Sequence, residues 1–164
     1  MVTLEKSKEL IERVVSINRV ASVVKGGKRF GFSTLVVVGD GKGRVGAGIG
    51  KANDVRASIE KGIAKAKTSM IEVELTEDNT ITHSVIGKFG AAEILLKPAG
   101  PGTGVISGGA ARAVLESVGI ENVLTKCLRS RNPINVVRAT LDGLSQTRSR
   151  SLVARMREKE EAEL

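Results

Sequence analysis

Val24-Lys25-Gly26-Gly27-Lys28-Arg29-Phe30-Gly31-Phe32-Ser33-Thr34-Leu35-Val36-Val37-Val38-Gly39-Asp40-Gly41-Lys42-Gly43-Arg44-Val45-Gly46-Ala47-Gly48-Ile49-Gly50, residues 24–50, is where the fold is decided. From Phe30 the even positions (Phe30, Phe32, Thr34, Val36, Val38) keep a period of two, which predicts a strand. Lys25 to Arg29 before it reads as a basic turn, and Gly39 to Gly43 after it as a second turn. Val45, Ala47 and Ile49 then alternate with Gly46, Gly48 and Gly50, a third strand whose one face is nearly bare and open to close approach by another backbone.

Upstream, residues 10–24 are dense in Val and Ile (Ile11, Val14, Val15, Ile17, Val20, Val23, Val24), so a first strand is expected there. Its imperfect alternation places a bulge or bend near Asn18-Arg19. Downstream, Asn53 or Asp54 can cap a helix whose apolar stripe is Val55, Ile59, Ile63, Ala66 and Met70. The first unit is therefore three strands and a helix over residues 1–75. A polar stretch at 76–82 marks the boundary of a second unit, 76–145.

The second unit opens with strands at about 82–88 and 92–98. A glycine-rich loop, Pro101 to Gly109, leads into a helix carrying Ala110, Val114, Leu115 and Val118 and ended by Gly119. Val123 to Leu128 reads as a strand. Asn132-Pro133 starts a helix with the stripe Ile134, Val137, Leu141 and Leu144. Residues 146–164 are a polar, charged tail, frayed or helical.

The 164 residues carry a net charge of +8. Residues 1–72 hold 14 Lys and Arg against 7 Asp and Glu, so the surplus belongs to the first half. This asymmetry points to a polyanion, either nucleic acid or an anionic membrane surface. The longest clean apolar run, Leu35 to Val38, is far too short to span a bilayer. One cysteine, Cys127, excludes an internal disulfide and fits a reducing compartment as a buried structural thiol. With one His (His83) and one Cys, zinc sites and Cys-His catalysis find no residues.

Gly41-Lys42-Gly43-Arg44-Val45-Gly46 matches a dinucleotide-binding glycine pattern, but a strand follows where that fold needs a helix, so a hairpin turn is the better reading. Gly50-Lys51 fails as a phosphate-binding loop because Ala52 replaces Ser or Thr. The loop with Gly102, Thr103, Gly104, Gly108 and Gly109 precedes a helix N-terminus, where phosphate is attracted, so it is a candidate phosphate-contacting loop as well as a plain turn. The basic set Arg19, Lys25, Lys28, Arg29, Lys42, Arg44, Lys51, Arg56, Lys61 and Lys65, with Gly26 and Gly27 allowing close backbone approach, suits RNA phosphates. Three Phe and no Trp or Tyr argue against single-strand stacking and for folded or double-stranded RNA.

Val24 to Phe30, Val37 to Gly41, Gly43 to Gly46 and Gly50-Lys51-Ala52 resemble the N-terminal domain of the ribosomal protein S5 family. Gly102-Thr103-Gly104, Gly108-Gly109-Ala110, Arg112 to Glu116 and Asn132 to Thr140 resemble its C-terminal domain, in the family's order and spacing from about Leu10 to Leu144. The resemblance implies an α+β chain: a double-stranded-RNA-binding-like first domain, then an α/β domain of a fold also seen in small-molecule kinases, with the glycine loop as inherited geometry. It further implies a structural role in the small ribosomal subunit, rRNA binding near the neck, and ribosomal proteins S4 and S8 as neighbours. An influence on translational accuracy, a place beside the path by which mRNA enters, and approach of Lys25 to Arg29 to the rRNA where spectinomycin binds also follow from it. No catalysis and no cofactor are expected, and the location is the cytoplasm or an organelle of bacterial descent. Two positions depart from the family: Arg56 stands where Pro is usual, and Cys127-Leu128-Arg129 where an aromatic and a Gly are usual. The rival readings are a general double-stranded-RNA binder and a nucleotide-binding kinase-like protein.

Overall fold

The computed structural model describes residues 10–158. The first nine residues of the expected first unit and the last six of the charged tail lie outside them.

Two strands, β1 (Ile11–Val24) and β2 (Gly27–Gly39), form a long antiparallel hairpin, to which β3 (Arg44–Ala52) adds. Helix α1 (Val55–Thr68) follows, and the short strand β4 (Ile71–Glu72) closes the sheet in the order β1-β2-β3-β4. The sequence reading of three strands missed β4, which two residues are too short to announce by periodicity. The irregularity of β1 lies at Val15, between the Val14–Val36 and Ser16–Leu35 pairs, not at Asn18-Arg19. The extra residue turns Val15 inward, where it packs on the main core.

The bare face of β3 is filled by helix backbone. A Cβ added at Gly46, Gly48 or Gly50 would overlap the carbonyl oxygens of Ala66, Gly62 and Ser58 respectively. The buried face of α1 is accordingly Ser58, Gly62 and Ala66. The expected stripe is corrected: Val55, Ile59 and Ile63 are only half-buried and flank the small residues, because backbone contact at this closeness admits nothing larger. Asp54 takes the N-cap position, but its side chain makes no capping bond.

The second sheet holds β5 (Val85–Phe89), β6 (Ala92–Pro98), β7 (Val105–Ile106) and, after α2 (Gly109–Val118), β8 (Val123–Cys127), in the order β5-β6-β8-β7. Only the β7–β8 pairing is parallel. Two residues of the expected glycine loop are thus strand. Helix α3 (Pro133–Ser145) starts as expected, with the Asn132 side chain accepting from Ile134 N–H at 3.1 Å. Its buried face is Val136, Val137, Ala139, Thr140, Gly143 and Leu144, with Ile134 and Leu141 half-buried beside it. The tail continues as helix α4 (Arg150–Arg157), capped by the Ser149 hydroxyl. None of the described helices is long and apolar enough to cross a membrane. Cys127 is half-buried against the core, less enclosed than the sequence suggested.

One strand belongs to both cores. Val36 and Val38 face α1, whereas Leu35 and Val37 join the core built with α2, α3 and the second sheet. The apolar run Leu35 to Val38 is continuous because both faces of β2 are covered there.

Candidate nucleic-acid interface

The β1–β2 pairing runs without a gap in its basic half to the last pair, Val24–Gly27, closed by the two-residue turn Lys25-Gly26. The basic turn is thus tighter than expected, with Lys28 and Arg29 on β2 itself. Gly27 sits at φ +138°, a conformation side-chain-bearing residues rarely adopt. β3 follows β2 only to the Phe32–Ala52 pair. Beyond it β1 and β2 continue alone as a two-stranded arm, and every residue from Ile17 to Phe30 is exposed.

Arg19, Lys25, Lys28 and Arg29 all stand on this arm. Arg19 lies over the Phe30 ring, its Cζ 4.0 Å from the centroid. The register explains the contact: Arg19 pairs with Phe32 and Ala21 with Phe30, so all four side chains share one face. The ring positions the guanidinium without neutralising it, leaving its edge for phosphate oxygens. Where β3 ends, a groove of about 380 Å³ opens between the arm and the end of β3, and Arg29, Lys51 and Asn53 line it.

Lys42 and Arg44 are elsewhere. They flank the β2–β3 turn at the opposite end of β2, roughly 40 Å from Lys25 at strand rise. That turn is a docking element. Asp40 Oδ1 accepts from the N–H groups of Lys42 and Arg44, each at 2.9 Å. Gly41 and Gly43 N–H donate to the carbonyls of Ser117 and Val118 at 3.0 and 2.8 Å. On α1, Lys61 and Lys65 are exposed, while Arg56 is held by Glu60 at 3.2 Å. The basic set therefore divides into an arm group joined by Lys51, a helix group, and a distal turn.

The glycine loop also divides. Gly102 and Gly104 have φ of +85° and +76°, and this part is stitched to the segment before β8. Gly104 N–H donates to Asn122 Oδ1 at 3.1 Å, Val123 N–H to the Gly104 carbonyl at 3.1 Å, and Thr103 Oγ1 to the Gly100 carbonyl at 2.8 Å. Gly108 and Gly109, by contrast, open α2 without a side-chain cap and border a cleft of about 500 Å³. Arg112, Lys126 and Arg131 line it too, and none of its lining residues is acidic. Sequence reading missed Arg112 and Lys126. Arg112 sits in the first turn of the helix that was expected, which is a usable signal, but Lys126 arrives from a neighbouring strand and no linear spacing could have found it.

Both halves of the chain match domains of one family. Residues 10–74 match ribosomal protein S5, N-terminal domain, and residues 87–157 match ribosomal protein S5, C-terminal domain. The chain is 58% identical over 165 residues to small ribosomal subunit protein uS5 of Syntrophobacter fumaroxidans, covering 100% of this chain and 99% of the relative. It is 55% identical over 149 residues to uS5 of Rubrobacter xylanophilus, covering 91% of this chain and 74% of that one. With uS5 of Lawsonia intracellularis the identity is 52% over 149 residues, 91% of each.

Proposed function

The chain belongs to the ribosomal protein S5 family, and from that premise we propose that it is a structural constituent of the small ribosomal subunit whose first domain grips rRNA through the β1–β2 arm. One observation carries the mode of binding: a two-stranded ribbon, exposed on both faces, that bears Arg19, Lys25, Lys28 and Arg29. Such a ribbon loses nothing by entering a crevice between RNA helices, and its Gly26-Gly27 tip lets backbone approach phosphate. Lys51 extends the contact along the groove, and Lys61 and Lys65 add phosphate contacts from α1. Lys42, Arg44 and Arg56 contribute at the periphery.

In this reading, residues 1–75 form the rRNA-binding domain, 76–145 the domain that meets neighbouring proteins, and 146–164 a charged tail. S4 and S8 are the neighbours, mRNA passes nearby, and the protein influences head-to-body arrangement and accuracy by position, without catalysis. Its place is the ribosome of the cytoplasm or of an organelle. Of the glycine loop, Gly108 and Gly109 are the part available to a phosphate, whereas Gly102, Thr103 and Gly104 shape the turn.

A titration against small-subunit rRNA and a length-matched unrelated duplex, at several salt concentrations, tests the reading. Preference for the rRNA is expected, with each neutralised phosphate contributing about −0.7 to −0.9 to the log–log salt slope. Equal binding to both would favour a general duplex binder, and binding to neither would overturn the reading.

A further inference from the structure

From Gly31 to the tip of the arm, the edge of β2 has no neighbour where β3 would continue, because β3 stops at the Phe32–Ala52 pair. The groove of about 380 Å³ lies in that vacant place. Gly31 is its floor. The Asn53 side chain reaches back over it: a Cβ on Gly31 would stand 3.9 Å from Asn53 Oδ1 and 3.1 Å from the Ala52 carbonyl oxygen. Asp54 takes the N-cap position of α1, so the Asn53 amide is not the helix cap. The register places the cations. Arg29 pairs with Ser22, Gly31 with Val20, and Lys51 with Ser33. Residues 29, 31 and 33 alternate onto one face, so Arg29 and Lys51 stand on the same side of the sheet, to either side of Gly31. Both are exposed, and no residue lining the groove is acidic. Val20, 45% exposed, and the half-buried Phe32 give it an apolar wall.

We propose that this groove seats one unpaired nucleotide of the rRNA. Its base lies against Val20 and Phe32 with one edge on the Asn53 amide, and the phosphates before and after it meet Arg29 and Lys51. The inference rests on the rRNA reading of the arm and adds base recognition to it, since phosphate contacts alone carry no sequence information. A duplex keeps its bases stacked inside, whereas a nucleotide turned out of a bulge or loop offers a free ring and a free edge. The groove is at the small end of the about 300–1,000 Å³ of small-ligand pockets, the scale of one nucleotide. An amide presents a donor beside an acceptor, which is what a base edge requires. An acidic peptide would also suit the cations, but the groove is continuous with the arm, and a peptide there would compete with the RNA the arm holds.

The test compares particles assembled from small-subunit rRNA and the other small-subunit proteins with the full chain, with its Asn53→Ala variant, or without this chain. Base-specific chemical modification reads the bases, and hydroxyl-radical cleavage reads the sugar–phosphate backbone. One unpaired base is expected to be shielded by the full chain and to regain about fivefold or more of its reactivity with Asn53→Ala, while the backbone footprint stays. No shielded unpaired base, or one that stays shielded with Asn53→Ala, would overturn the proposal. A backbone footprint without a shielded base sinks this inference alone, whereas no footprint of either kind sinks the rRNA reading too. Titration onto particles lacking the chain gives a second readout. Asn53→Ala, at an exposed position outside α1, is expected to lower affinity about fivefold or more with the salt slope unchanged, as loss of a base contact does. Lys51→Ala should instead make the slope shallower by about 0.7–0.9. Unchanged affinity with Asn53→Ala, or a slope that shifts as it does for Lys51→Ala, would remove the base contact and the proposal with it.

Discussion

Gly27 to Phe30 and Thr34 to Gly39 belong to one strand and live in opposite surroundings. The first four residues are exposed on both faces, the last six buried on both. In the exposed half the side chains are Lys, Arg and one Phe, and the partner strand supplies Arg19 to cover that Phe. In the buried half they are Thr, Leu and Val, shared between two cores. The contrast teaches that binding and stability are separated along β2 by distance. Changes at the arm should alter RNA affinity with the fold intact, and changes at the other end should do the reverse.

The harshest test of the buried half is Gly50→Ala. The new Cβ would overlap the Ser58 carbonyl, a helix backbone atom with nowhere to go, so α1 must lift from β3. A loss of about 3 kcal/mol or more is expected in denaturant unfolding. Val37→Ala comes next, leaving a cavity in the shared core at about 2–3 kcal/mol, while rRNA affinity per folded molecule is unchanged. A drop in affinity equal to that of an arm variant would erase the separation.

At the arm, Lys28→Ala and Arg29→Ala should each make the rRNA salt slope shallower by roughly 0.7–0.9, with stability held within about 0.5 kcal/mol. Thermal unfolding and a salt-series titration on the same samples decide it. A gentler probe lies at the first residue of the buried half. Thr34 Oγ1 is buried with no hydrogen-bond partner among the described residues, so Thr34→Val should raise stability by about 1 kcal/mol. The smallest effect belongs to the Arg13–Glu116 ion pair between the two domains, at 2.6 Å but 47% and 30% exposed. A double-mutant cycle should give a coupling below about 1 kcal/mol.

Much of this was legible in the chain. The alternation from Phe30 to Val38, the glycine stripe of β3, Asn132-Pro133 and Gly119 fixed elements by local chemistry, and local chemistry is what a sequence displays. The arm basic residues were legible too, because a β-hairpin brings sequence neighbours together. What stayed hidden depends on distant partners. The Val15 bulge answers to a core completed by α2. The small face of α1 answers to the glycines of β3. The separation of Lys42 and Arg44 from the arm is set by how far β2 runs, and Lys126 reaches the Gly108–Gly109 cleft through a strand pairing. The one sequence cue to two-faced burial, the unbroken run Leu35 to Val38, could equally have been a short buried strand of any kind.

Sharing β2 between two cores has a consequence for how the molecule is made. Synthesis proceeds from the N-terminus, so the first sheet and α1 emerge while the chain that will cover Leu35 and Val37 does not yet exist. Those side chains, with Val15 and Ile49, must face water until α2 and Val118 have left the tunnel. During that interval the hairpin is an adhesive surface, and the basic arm beside it is already able to find RNA. A nascent chain of this protein is therefore most in need of a chaperone, and most prone to premature capture, after Thr68 and before Val118.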